Sequence, residues 1–146
     1  MEIYAQHRAE IERDNASIEF SKFYDWFSSL SKGMGYSLKE LKNKQKQGKS
    51  KEVEIELSKK LNEYVMFVIE VMISYDIKDR KYTIKINGKM ITDYMDKWEI
   101  NPFVKFVKSL YEYITATGLT RYSGQLKDDV DFITNECKMI LGMEHK

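Results

Sequence analysis

The chain has one cysteine, one proline and two histidines in 146 residues. A single thiol, Cys137, excludes a disulfide framework within the chain, and no secretory leader pattern opens the sequence, so a reducing, cytoplasmic setting is expected. Neither His7 nor His145 has a sequence partner, and Cys137 forms no paired spacing that zinc ligands use, so no metal site is expected. With 32% charged and 42% hydrophobic residues, the near absence of proline argues for a folded, helix-rich domain. Long apolar runs are missing too. The run from Tyr64 to Ile69 stops at Glu70, well short of the roughly 20 residues a membrane-spanning helix needs, so no membrane association is expected.

Catalytic signatures are equally sparse. The chain holds no nucleophile elbow, no glycine-rich nucleotide loop and no two-histidine metal helix. Gly48-Lys49-Ser50 matches the end of a phosphate-binding loop, but the glycine required five positions earlier is Asn43. Asp128, Asp129 and Asp131 are explained as first-turn helix acids complementing the dipole, and neighbouring helical positions point in different directions. These absences predict a protein that is not an enzyme and takes no cofactor.

The apolar pattern organises what is present. Val53, Leu57, Leu61, Tyr64, Val68, Met72 and Tyr75 recur at steps of three or four, which predicts one long central helix over about 51–75. Around it the spacing predicts a mainly α domain covering 1–146, a compact bundle of about four principal helices. Residues 3–31 read as helix in two pieces, a thin stripe followed by the aromatic face of Phe20, Phe23, Tyr24, Trp26, Phe27 and Leu30, broken by Gly33 and Gly35. Asn101-Pro102 marks a helix start, with a stripe from Phe103 to Ile114 and a stop at Gly118. After a linker over Leu119–Gly124, the seam Leu126, Val130, Ile133, Cys137, Ile140 and Leu141 predicts a last helix ended by Gly142.

Two smaller elements complete the expectation. Ser37 and Glu40 have capping-box spacing, with Tyr36 and Leu41 placed as a hydrophobic staple, which predicts a short basic helix over 38–47. Tyr82, Ile84 and Ile86 alternate with polar residues, and Asn87-Gly88 follows, the strongest short hairpin signal, so a β-hairpin is predicted over 81–92. Phe132 and the other phenylalanines are read as core. Tyr82, Tyr94, Trp98 and Tyr122, near cationic residues, could stack on bases or anchor an interface.

Charge is balanced overall, at +1, but unevenly spread. Residues 37–51 hold six lysines against Glu40 alone, and residues 52–76 hold six acids against Lys59 and Lys60. Lys39, Lys42, Lys46, Lys49, Lys51, Lys81, Lys85, Lys89 and Arg121 are therefore the candidate contact residues. The resulting expectation is a non-enzymatic interaction protein, an adaptor, assembly subunit or inhibitor that binds another macromolecule through the basic helix and the hairpin edge. A protein partner is expected, and self-association through the N-terminal helix or the hairpin is consistent with it. The alternative is a protein that binds the nucleic-acid backbone through the Lys39–Lys51 segment. Lysine, isoleucine and tyrosine usage is compatible with an AT-rich coding genome, and small motif-free proteins of this style are often carried by mobile elements.

Overall fold

The computed structural model describes residues 2–46, 48–62, 64–92 and 116–142. It is not a helical bundle. Its elements run β1 (Glu2–Arg13), α1 (Phe20–Gly33), β2 (Ser37–Lys46), β3 (Ser50–Lys60), β4 (Val65–Asp76), β5 (Lys81–Thr92) and a long terminal helix, α2 (Ala116–Ile140). The five strands form one antiparallel sheet in the order β1-β5-β4-β3-β2. Strands β2 to β5 follow one another as a meander, and β1 returns to pair with β5.

Alternation decides the strands. Glu52, Glu54 and Glu56 interleave with Val53, Ile55 and Leu57, and only the apolar set is fully buried. Such a period of two puts one set on each face of a sheet. The expected central helix over 51–75 is instead β3 and β4, reversing near Asn62. The Asn62 side-chain oxygen accepts the backbone N–H groups of Tyr64 (2.7 Å) and Val65 (2.8 Å), a local bond that turns the chain. In β4 the apolar residues sit at nearly every position, so a stripe of helical spacing could be drawn through a strand buried along one face.

The other corrections share this cause. The basic helix expected over 38–47 is instead β2 as far as Lys46, and residue 47 lies outside the described residues. Lys39, Lys42 and Lys44 lie opposite Glu56, Glu54 and Glu52 of β3. The Ser37–Glu40 capping box does not form, and the Glu40 carboxylate accepts the Tyr24 hydroxyl at 2.6 Å. The first helical piece of residues 3–31 is β1. The hairpin expected over 81–92 is a single strand, since β5 pairs continuously with β4 from Lys81 to Thr92 through Asn87 and Gly88. The helix expected from Asn101 falls outside the described residues up to position 115, and the expected linker Leu119–Gly124 lies within α2.

Two elements form as the periodicity predicts. α1 buries Phe23 and Phe27. It ends in a Schellman arrangement, with Tyr36 N–H on the Ser31 carbonyl, Gly35 N–H on the Lys32 carbonyl, and Gly35 at φ +90°. α2 buries Leu126, Val130, Ile133 and Cys137, and Leu141 is buried just past its end. Phe132, expected in the core, is 45% exposed on this helix.

Both helices cover the same face of the sheet. That inner face is built in rows across the strands: Ile11, Ile84, Ile73 and Val53, then Ala9, Ile86, Val71 and Ile55, then His7, Gly88, Ile69 and Leu57. α2 lies over β1 and β5, with Val130 and Leu126 seated on Gly88. α1 closes one end through aromatic contacts, Phe23 on Tyr82 (5.1 Å between centroids) and Phe20 on Tyr75 (6.1 Å). Tyr82, expected near the surface, is fully buried there, and its hydroxyl donates to the Ile18 carbonyl at 2.9 Å.

Candidate binding face

Residues of opposite parity face away from the helices. Their rows are Arg8, Asn87, Glu70, Glu56 and Lys39, then Glu10, Lys85, Met72, Glu54 and Lys42, then Glu12, Thr83, Ser74, Glu52 and Lys44. Every row mixes cations with carboxylates or hydroxyls, which suits a solvated sheet face. Across the middle of it runs a groove of about 520 Å³. Leu41 and Met72 supply apolar surface, Arg8 and Lys85 the cations, and Glu10, Glu54 and Glu70 the carboxylates. Asn87 also lines the groove, and its side-chain oxygen is buried with no hydrogen-bond partner among the described residues. A buried acceptor left in that state carries a desolvation cost that a donor on an incoming ligand would offset.

Leu41 reaches the groove because the β2–β3 register shifts between Glu40 and Lys42, a bulge that re-aims the strand. Glu70 is anchored from the side by Lys89, Nζ to Oε1 at 2.7 Å, and Lys42 approaches Glu54 at 3.9 Å.

The nine candidate contact residues do not converge. Lys39 and Lys42 stand on the outer face of β2, each opposite a glutamate. Lys46 closes β2 opposite Ser50, and Lys49 is exposed in the turn that follows. Lys51 turns to the inner side, with its ammonium 5.4 Å from the Phe20 ring centroid. Lys81 is half-buried opposite Asp76 at the start of β5. Lys85 and Lys89 are on the outer face, the first in the groove and the second bound to Glu70. Arg121 is exposed on α2, in the other layer. Of the nine, only Lys85 lines the groove. Sequence reasoning missed Arg8, Glu10, Glu54 and Asn87, although the alternation of Glu52 to Leu57 could have placed Glu54 on a sheet face.

Away from the groove, burial keeps the Tyr24 and Tyr36 hydroxyls and the Cys137 thiol protonated. Burial, then the hydrogen bond to Asp129 at 2.6 Å, raises the Tyr36 hydroxyl above its ordinary value. Tyr24 is pushed up to about 12 by burial and by the bond to Glu40, which is itself lowered by accepting that bond. Burial pushes the Cys137 thiol up to about 12, so it is not a thiolate nucleophile at neutral pH. No group of three or more histidine, cysteine or acidic side chains that could hold a metal occurs among the described residues. No described helix is long and apolar enough to cross a membrane.

Comparison with protein-family models, with curated proteins and with solved structures gives no match.

Proposed function

We propose that the chain is a non-enzymatic, cytoplasmic interaction protein that binds a protein partner on the outer face of its sheet. The observation that carries this reading is the groove, which combines an apolar floor of Leu41 and Met72 with charges of both signs and an unpaired amide oxygen at Asn87. A polypeptide surface offers all three complements: apolar side chains, charged groups of either sign, and N–H donors. The contact surface is therefore the sheet face turned away from both described helices, in place of the basic helix and hairpin edge expected from sequence.

Binding to a nucleic-acid backbone is the weaker reading. Lys39, Lys42 and Lys44 of β2 face glutamates across the strand, and the groove carries three carboxylates to two cations. A polyanion gains little from such a surface.

The test uses Met72→Arg, which fills the groove floor, beside the exposed helix control Gln125→Arg. Affinity capture is run in parallel with the wild type, with folding checked by thermal unfolding. A partner held by the wild type and the control but lost by Met72→Arg is the expected result. A partner set unchanged by Met72→Arg overturns the assignment of this face. Captured nucleic acid that leaves steeply with added salt would move the choice to the second reading.

A further inference from the structure

The two edges of the sheet differ in a way that points to a second copy of this chain. An edge strand exposes unpaired backbone groups and is a template for another strand unless lysines, bulges or covering segments block it. β2 carries such blocks: Lys39, Lys42 and Lys44 along its exposed length, and the register shift at Leu41. β1 carries few. It has no lysine, and from Ala5 to Arg13 it pairs with β5 without a shift, its one irregularity lying between Ile3 and Ala5. Its outward side chains, including Arg8 and Glu10, are exposed.

We propose that β1 is the seam of a homodimer, in which two copies pair β1 against β1 antiparallel about Ala9 and the sheet continues from one chain into the other. An interface between identical chains related by a two-fold axis must be self-complementary. In the register centred on Ala9, Arg8 of each chain stands opposite Glu10 of the other, and Gln6 opposite Glu12. The side-chain period of two allows only shifts that keep the faces matched. Moving the centre to Arg8 sets the two Arg8 guanidinium groups against each other, and moving it to Glu10 does the same to the two carboxylates. Like charges directly opposite destabilise a strand pair, so one register is selected.

The Arg8 guanidinium is available for this role, since among the described residues it bonds only to the Gln6 amide on its own strand, at 3.2 Å. Glu10 already faces Lys85 across β5. The dimer would continue that alternation, from Lys85 through Glu10 to Arg8 of the second copy. The seam shares Arg8 and Glu10 with the rim of the proposed protein-binding groove, whereas Met72 on β4 and Leu41 on β2 lie away from it.

Sedimentation equilibrium of the full chain tests the proposal with Arg8→Glu and Glu10→Arg, both at exposed positions. The wild type is expected to be a dimer, and each single substitution turns two attractive pairs repulsive, raising the dissociation constant by about tenfold or more. An equimolar mixture of the two variants should then associate, because each introduced charge meets its opposite only in the mixed dimer. Met72→Arg should leave the mass unchanged, which separates this seam from the groove. A monomeric wild type, a stoichiometry other than two, or failure of the mixture to associate more tightly than either variant alone would overturn the proposal.

Discussion

Gly88 and Val130 meet so closely that a side chain at position 88 would force the helix or the sheet to shift. A Cβ built on Gly88 would stand 2.6 Å from Val130 Cγ2 and 3.2 Å from Leu126 Cδ1. Glycine inside a strand weakens it locally, and here the loss is offset by letting α2 settle onto the sheet. Gly88→Ala should therefore destabilise the protein by about 1–3 kcal/mol through overpacking. Adding Val130→Ala should recover part of that loss. A double-mutant cycle by chemical denaturation measures the coupling, and independent, additive effects would contradict the close approach.

Tyr36, just before β2, donates to Asp129 of α2 at 2.6 Å and so links the two ends of the inner layer. Tyr36→Phe removes a hydrogen bond to a carboxylate while keeping the ring under the Lys59 ammonium. A loss of about 1–3 kcal/mol is expected in urea denaturation. Asp129→Asn, which keeps an acceptor, should cost less than Tyr36→Phe.

Cys137 gives a pH signature with a defined sign. Its thiol is raised from 9.0 to about 12 in the folded chain, mainly by burial. The proton is thus held more firmly when folded, so this contribution is complete below the ordinary thiol value and is lost as pH rises from 9 toward 12. Stability of the wild type relative to Cys137→Ala should fall through that window with a limiting slope of roughly 1.4 kcal/mol per pH unit. Alkylation of the wild-type thiol at neutral pH should proceed only at the rate of opening, and rapid labelling of the native protein would refute the buried placement.

The lysines of β2 should matter little to stability and more to solubility. Lys42 is well exposed and 3.9 Å from Glu54, so removing that pair should change stability by less than about 1 kcal/mol. Replacing Lys39, Lys42 and Lys44 together by threonine removes the charges guarding this edge. Light scattering should then show concentration-dependent assembly beyond that of the wild type, with the fold unchanged by circular dichroism.

The two helices were legible because their signals are local. The aromatic face from Phe20 to Phe27 and the seam from Leu126 to Leu141 recur at helical spacing with polar residues between, and Gly35 and Gly142 take the positive φ that ends each helix. The strands were harder to read. Between Val65 and Ile73 both parities contain apolar residues, including Val68 on the outer face at 7% exposure, so the period of two was masked. Asn87-Gly88 satisfied the composition of a tight turn, but its glycine answers a helix contributed from residues 126–130.

Sequence by itself determined that Phe20–Leu30 and Leu126–Ile140 are helical, where each helix stops and which seam is buried, because these depend on neighbours within a few positions. It did not determine where α2 begins, since the expected linker Leu119–Gly124 lies within the helix. Tertiary structure alone decided that Ser37–Lys46 and Ser50–Lys60 pair as strands. That pairing set Lys39, Lys42 and Lys44 opposite glutamates which, read along the chain, had looked like a separate acidic segment. It also brought Arg8, Glu54, Glu70 and Lys85 into one groove from four different strands. Cross-strand register joins residues far apart in the chain, and no local period records it.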